Sequence, residues 1–158
     1  MTTPYKKFQR RTLEILDGEV VDRASKWTEY FIATLVVLNV IVIILESVPE
    51  IHTAYATPLH AFDLFSVVIF SIEYVLRVWS AGAKYPPHTP GKSGRREYIF
   101  SFYGLVDFFS TIPFYLQLLF PGADLRVLRM FRLLRIFKLS RYNSAFDDMI
   151  AAVKSERD

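Results

Sequence analysis

The chain has 158 residues, of which 52% are hydrophobic and 16% aromatic, a composition that favours burial in lipid over a water-facing surface. It contains no cysteine, which excludes disulfides and thiolate metal sites. The net charge is +3, but six cations lie between Arg126 and Arg141 without an acid among them, so the rest of the chain is acidic. A general basic surface is therefore not expected, and nucleic acid is not an expected partner.

Four segments are long and apolar enough to cross a bilayer, whose hydrocarbon core of about 30 Å takes roughly 20 helical residues. They cover approximately residues 30–48, 59–79, 98–120 and 125–140. They predict an all-α, transmembrane, antiparallel four-helix bundle. The lipid bilayer is thus the first predicted partner.

Basic residues are confined to alternate connecting segments. Two segments carry them: Lys6, Lys7, Arg10, Arg11, Arg23 and Lys26 precede the first span, and Lys84, Lys92, Arg95 and Arg96 lie between the second and third. The loops 49–58 and 121–124 carry no Lys or Arg. The positive-inside rule therefore predicts a multi-pass protein of the cell membrane with both termini cytoplasmic. No cleavable signal peptide is visible, so we expect the first span to direct insertion.

These patterns divide the chain into a cytoplasmic N-terminal segment (1–29), a four-helix domain (30–141) and a C-terminal linker (142–158). Residues 8–27 are a weak amphipathic candidate, interrupted near Asp17. In the linker, apolar side chains recur at helical spacing on one side: Phe146, Met149, Ile150 and Val153. This predicts an amphipathic helix along the inner membrane face or against a partner.

The fourth span carries a cation at every third position. The six are Arg126, Arg129, Arg132, Arg135, Lys138 and Arg141, and apolar residues fill the gaps apart from Ser140. In an α-helix three residues fall about 60° short of a full turn, so the cations would spiral round the helix. In a 3₁₀ helix three residues complete a turn, and the cations would form one straight stripe. A surface amphipathic helix would instead follow a period of 3.6 residues.

So many cations in a span need acidic partners and a function. Each Arg at the bilayer centre costs about 2.5–3.5 kcal/mol, so six unpaired cations would cost on the order of 15–20 kcal/mol. One charge that crosses 100 mV is worth about 2.3 kcal/mol, so several charges moving together would bias the helix position strongly. A three-residue shift of an α-helix, about 4.5 Å, would put each cation where its neighbour was. The alternative is a cytosolic basic helix that binds acidic lipid or nucleic acid, which leaves the other spans unexplained.

The second span carries candidate partners on one side. Asp63, Phe70 and Arg77 are seven residues apart, and Glu73 lies three beyond Phe70. From outside to inside this side presents an acid, an aromatic ring, an acid and a cation.

The first and third spans complete two acidic layers. Asn39 and Glu46 are seven apart on one face of the first span, and Asp107 of the third span reaches a depth near Glu73. We predict an outer acidic cluster of Glu46 and Asp63 and an inner layer of Glu73 and Asp107.

We hypothesise that Phe70 plugs the bundle between two water-filled vestibules, so that the membrane field falls over a short distance. The carboxylates would offer charge-assisted hydrogen bonds on both sides of the ring. Ordinary roles are also open: packing for Phe70, a helix–helix hydrogen bond for Asn39, snorkelling to inner headgroups for Arg77 and a kink or break at Pro113.

Several stretches together carry a family resemblance. They are Phe-Ser-Ile-Glu-Tyr-Val-Leu-Arg at 70–77, Leu-Val-Asp at 105–107 with Ile-Pro at 112–113, Leu-Glu-Ser-Val-Pro-Glu at 45–50, and the basic span at 125–141. They resemble the voltage-sensor domain of six-transmembrane voltage-gated potassium channels, over residues 24–157. The short N-terminal segment is more typical of prokaryotic than of animal members.

The resemblance implies a role for each matching residue. It implies main gating charges at Arg126, Arg129, Arg132 and Arg135, deeper ones at Lys138 and Arg141, and a charge-transfer centre of Phe70, Glu73 and Asp107. It also implies that the chain senses membrane voltage and gates the potassium-channel pore of the same full-length chain, in a homotetramer and without enzymatic activity.

The sequence departs from this family in one respect. The family has two further spans and a selectivity filter, and neither occurs here, so the sensor is either excised or without a pore by nature. Two other functions therefore stay open: a stand-alone voltage-gated proton channel, and a sensor that controls an attached enzyme such as a phosphatase. The residues that follow 158 would distinguish them.

The sequence gives no support for a catalytic site or a metal-binding site. Residues 90–93, Pro-Gly-Lys-Ser, are similar to the end of a phosphate-binding loop, but Pro86 replaces the earlier glycine and no strand precedes it. His52, His60 and His88 lack metal-ligand spacing, and no nucleophile–base pair is apparent. We expect no catalytic residue, no metal and no cofactor.

Overall fold

A computed structural model of the chain describes residues 4–17, 22–85, 91, 93–122 and 130–142. Its α-helices are α1 (Pro4–Asp17), α2 (Arg23–Glu46), α3 (Pro49–Ala54), α4 (Ala56–Ser80), α5 (Gly94–Ile99) and α6 (Phe102–Leu119). Two 3₁₀ helices lie at Ala81–Ala83 and Arg132–Tyr142, and the second is named the basic helix. Within the described ranges there is no strand, so the predicted all-α helical bundle is confirmed. The predicted linker lies outside the described residues, apart from Tyr142.

The polarity of the bundle is the reverse of that of a soluble protein. Charged side chains are buried between the helices: Asp63, Glu73, Arg77, Asp107, Arg135 and Lys138. Large apolar side chains face outward, and Ile44, Val75 and Leu118 are 60%, 63% and 68% exposed. Three segments, α2, α4 with its 3₁₀ extension, and α6, are long and apolar enough to cross a membrane. An apolar outside and a polar inside suit a bundle that is surrounded by lipid.

The first two spans begin earlier than predicted. α2 starts at Arg23 instead of residue 30, because the Asp22 side chain accepts a hydrogen bond from the Arg23 amide and caps the helix. α4 starts at Ala56 instead of residue 59. The predicted loop between these spans contains α3, which begins at Pro49, where the fixed φ of proline suits the first helical position.

The third span is shorter than the predicted 98–120, because the chain breaks before Phe102. The Ser101 hydroxyl accepts a hydrogen bond from the Gly104 amide and caps α6. Gly104 also approaches the preceding turn so closely that a Cβ would lie 1.9 Å from the Tyr98 carbonyl oxygen. Pro113 lies inside α6 and does not end it.

The first part of the N-terminal segment forms α1, which ends at Asp17, near the predicted interruption, and packs against α2 and the C-terminal end of α4. Gln9 Nε2 donates to the Trp79 carbonyl at 2.6 Å. Ser25 Oγ donates to the Ile15 carbonyl at 3.1 Å. The contact from the Arg11 guanidinium also lowers the pKa of the Asp22 carboxyl. These contacts join α1 to α2 and α4.

The directions of the helices follow from their contacts with the basic helix. Arg132 contacts Gln117 and Lys138 contacts Asp107, so residue numbers fall along α6 as they rise along the basic helix. These two helices are antiparallel neighbours, and the basic helix also packs against α2. The interior of the bundle thus faces the stripe of cations.

Candidate functional site

The basic helix places its cations in one straight stripe. The sequence left α-helical and 3₁₀ geometry open, and the backbone from Arg132 to Tyr142 is 3₁₀. Side chains three residues apart therefore lie above one another. With a rise of about 2.0 Å per residue, a three-residue step is about 6 Å, longer than the α-helical step. Arg126 and Arg129 lie outside the described residues.

Arg132 faces the outer acidic cluster. Its guanidinium lies 3.6 Å from the Glu46 carboxylate and 3.9 Å from that of Asp63. It also donates to Gln117 Oε1 at 3.2 Å. The Arg132 and Glu46 side chains are about one-fifth exposed, so this pair is less buried than the cations that follow it in the stripe. The two predicted members of the outer cluster therefore share one cation.

Arg135 is held one turn deeper, and only 1% of its side chain is exposed. Its Nη1 donates to Asp63 Oδ1 at 2.6 Å and to Asn39 Oδ1 at 2.7 Å, and its Nε donates to the Ser110 carbonyl at 3.2 Å. Asn39 thus binds a cation of the stripe, and its own amide donates to the Leu35 carbonyl at 2.8 Å. A buried guanidinium with three acceptors from three helices has its charge and its donors well satisfied.

Lys138 lies at the residues that form the predicted charge-transfer centre. Its Nζ is 2.7 Å from Asp107 Oδ1, 3.0 Å from Glu73 Oε2 and 4.6 Å from the centroid of the Phe70 ring. Phe70 is fully buried. The ring therefore lies against the cation, and the two inner acids hold the cation there. The structure brings these residues together, whereas their role in moving charge stays a prediction.

Arg141 lies at the inner end of the stripe, among aromatic rings that the sequence did not single out. Its guanidinium is 4.5 Å from the centroid of the Tyr103 ring and 5.6 Å from that of Tyr98, and 4.0 Å from Asp107. The Tyr98 hydroxyl donates to the Asp107 carboxylate, which orients this acid. Aromatic residues near the end of a span were the one available signal, and it is a general one.

Arg77 does not snorkel to headgroups, because its side chain is 1% exposed and fully engaged. It donates to Glu73 Oε1 at 2.9 Å through Nε, to the Leu16 carbonyl at 2.8 Å through Nη1, and to the Tyr142 hydroxyl at 2.8 Å through Nη2. These partners from α1 and from the end of the basic helix are distant in sequence, so spacing within the second span could not indicate them.

Comparison with known proteins identifies the family. The profile of the family described as "Ion transport protein" matches residues 25–155, which include every contact made by the stripe. The chain belongs to the ion transport protein family. A protein of Rhodopseudomonas palustris (strain ATCC BAA-98 / CGA009), named "Putative potassium channel protein", is 34% identical over 159 aligned residues. That alignment covers 99% of this chain, which spans 38% of the length of the relative.

Family membership and the three apolar spans identify a membrane protein with an ion-channel-related function. In this ion transport protein the buried acids Asp63, Glu73 and Asp107 form ion pairs with Arg135 and Lys138. Among the residues that the structure describes, no group of three His, Cys, Asp or Glu could hold a metal ion. The arrangement is suited to holding and exchanging positive charges along one line.

Proposed function

We propose that this chain is a voltage-sensor domain in which the basic helix slides past the Phe70 ring when the membrane potential changes, so that its cations pass the ring one after another. The observation that carries the proposal is the position of Lys138, which contacts the Phe70 ring while Arg135 lies on its outer side and Arg141 on its inner side. Acids on both sides of the ring offer each cation a partner before and after it passes. A three-residue step then exchanges one cation for the next, so each acid keeps a cationic partner.

The energy available is large enough to drive this movement. Each charge that crosses the full potential gains about 2.3 kcal/mol per 100 mV, so three charges gain about 7 kcal/mol. Breaking a buried ion pair without replacement costs about 3–5 kcal/mol. Because the stripe is regular, each step replaces the pairs that it breaks, and the field has only to overcome the difference between successive positions.

We propose that the described contacts belong to an outward position of the basic helix. We propose that both termini are cytoplasmic, because the cations outside the spans lie on the same side in the positive-inside assignment. Arg132 and Arg135 then lie on the extracellular side of Phe70. This position is favoured when the cytoplasm is positive, and a negative cytoplasm would draw Arg135 into the place of Lys138.

We further propose that the movement gates a potassium-channel pore in the same full-length chain, assembled as a homotetramer in the cell membrane. The name of the Rhodopseudomonas relative supports a potassium channel, and most of the length of that relative lies outside the aligned part. Residues 142–158 would connect the sensor to the pore. In this proposal the chain has no enzymatic activity of its own.

Displacement currents test the proposal directly. Wild-type protein in a cell membrane with permeant ions removed should give a transient current that saturates with voltage. Arg135→Gln should lower the total charge by about one elementary charge per chain, because this residue crosses the ring on inward movement. Arg10→Gln, at a side chain that is 77% exposed in α1, is the matched control and should leave the total charge unchanged.

The outcome also separates the rival functions. The absence of a transient current in the wild type, or an unchanged charge in Arg135→Gln, would refute voltage sensing. A proton current carried by the purified chain alone in liposomes would favour the stand-alone channel over the gated pore.

A further inference from the structure

The last residue of the basic helix, Tyr142, lies deep inside the bundle. It is 2% exposed and its ring belongs to the apolar cluster that also contains Phe70 and Val36. Its hydroxyl donates to Glu73 Oε1 at 2.9 Å and accepts a hydrogen bond from Arg77 Nη2 at 2.8 Å. An uncharged residue one position beyond the stripe thus binds the same acid that holds Lys138.

Arg77 joins this tyrosine to α1. One nitrogen of its guanidinium faces Tyr142, while another donates to the carbonyl of Leu16 and lies 3.4 Å from the Asp17 carboxylate. Leu16 is in the last turn of α1, where carbonyls lack helical partners and carry the negative end of the helix dipole. The rigid fork of an arginine can bind all of these groups at once, which a lysine cannot do.

We propose that Tyr142 is a latch that stabilises the outward position of the basic helix, and that α1 strengthens the latch by holding Arg77 in place. The proposal rests on the proposed voltage-sensing function. Its physical basis is geometric, because an inward step of about 6 Å carries the phenol beyond hydrogen-bond reach of Arg77 and Glu73. Both hydrogen bonds and the buried ring contacts then exist only in the outward position.

Tyr142→Phe tests the latch, because it removes the hydroxyl and keeps the ring. We expect the outward-to-inward ratio at a fixed voltage to fall about tenfold, since hydrogen bonds to charged groups are stronger than neutral ones. Tenfold corresponds to about 1.4 kcal/mol, which shifts the midpoint of the charge–voltage curve about 20 mV toward positive potentials if three successive steps carry three charges past the ring. Inward movement on repolarisation should be faster, and the total charge should stay at the wild-type value.

Tyr115→Phe is the matched control. The Tyr115 hydroxyl is 2.8 Å from Ser71 Oγ, so it joins α6 to α4. The same chemical change there should leave the midpoint in place. Thermal unfolding of each variant in detergent confirms that it is folded before its currents are compared.

The role of α1 needs a second variant and a double-mutant cycle. Gln9→Ala combined with Ser25→Ala removes the bonds to Trp79 and Ile15 that hold α1 under the bundle. It should shift the midpoint in the same direction by less than Tyr142→Phe. In the Tyr142→Phe background the same change should add little, because the latch is already lost.

Each outcome identifies which claim fails. A wild-type displacement current with an unmoved midpoint in Tyr142→Phe would overturn the latch and leave voltage sensing intact. If the α1 variant shifts the midpoint by the same amount in the Tyr142→Phe background, the claim that α1 strengthens the latch is overturned. The absence of displacement current from the wild type would overturn both the latch and the proposed function.

Discussion

Individual charges are buried in this bundle at tolerable cost because each has partners from several helices. Arg135 has acceptors from α2, α4 and α6, and Lys138 has two carboxylates and a ring face. Removal of one partner would leave an uncompensated buried charge, which typically costs about 3–5 kcal/mol. The partners of each cation therefore decide the depth at which that cation is stable.

Substitutions of Phe70 should move the voltage dependence in opposite directions. The ring face attracts Lys138 by about 0.5–2 kcal/mol, and a Trp face attracts a cation more strongly than a Phe face. Because Arg135 takes the place of Lys138 at the ring after an inward step, the shift measures the difference between the two cations. We expect the compact Lys138 ammonium to respond more than the guanidinium, so Phe70→Trp should shift the charge–voltage midpoint to negative potentials and Phe70→Ala to positive potentials. Phe65→Ala, at a ring that is 51% exposed on the same helix, is the control and should shift neither. Two shifts of the same sign would contradict a cation–π contribution.

At the scale of elements, the 3₁₀ geometry of the basic helix and the break before α6 bring the cations and acids into register. The 3₁₀ repeat stacks Arg132, Arg135 and Lys138 on the side that faces the acids, whereas an α-helix would turn them progressively away. α5 ends at Ile99, the cap at Ser101 begins α6, and the hydroxyl of Tyr98 in α5 then reaches the Asp107 carboxylate in α6. The break between α5 and α6 thus positions Asp107, which pairs with Lys138 and Arg141.

Gly104→Ala should damage this junction. A Cβ there would meet the backbone of Tyr98, which cannot move without shifting α5, so we expect a loss of about 1–3 kcal/mol in the free energy of unfolding. Gly122→Ala, where a Cβ meets nothing within 4 Å, should be neutral or stabilising by about 0.4–1 kcal/mol. Thermal unfolding in detergent measures both. Equal stability of the two variants would show that the close approach of α5 and α6 is unimportant.

At the scale of the whole molecule, the polar interior and apolar exterior require a surrounding membrane. Water would solvate the buried charges better than the bundle does, and it would leave side chains such as Val75 and Leu118 exposed at high cost. In lipid the charges are more stable inside the bundle than outside it, and the outward-facing apolar side chains are no longer exposed to water. α1 lies at the ends of α2 and α4, and this position places its basic residues where headgroups lie.

Val68→Lys tests this placement, because Val68 is near the middle of α4 and its side chain is 45% exposed. A lysine at the bilayer centre costs about 2.5–3.5 kcal/mol, which corresponds to roughly a 100-fold loss of correctly inserted protein. Val68→Ala is the control and should insert normally. The fraction that resists alkaline extraction from membranes measures the difference. Normal insertion of Val68→Lys would mean that this face of α4 does not contact lipid.

The sequence by itself determined the features that depend on local spacing. Cations at every third position, polar residues at seven-residue spacing and basic residues in alternate loops predict the bundle. The structure brings Phe70, Glu73 and Asp107 together around Lys138, and their role as a charge-transfer centre stays a prediction. These features are readable because helical periodicity alone places residues on one face.

Only the tertiary structure decided the rest. Local preference alone favours an α-helix, because 3₁₀ runs longer than about 3–4 residues are uncommon, yet the basic helix is 3₁₀ over 11 residues. The acceptors of its Arg135 come from three other helices, which no spacing within one span reveals. Arg77 turns inward because a carbonyl of α1 and the Tyr142 hydroxyl lie within its reach, and both are about 60 residues away in sequence. Such contacts depend on how the helices pack, and no spacing along one helix carries that information.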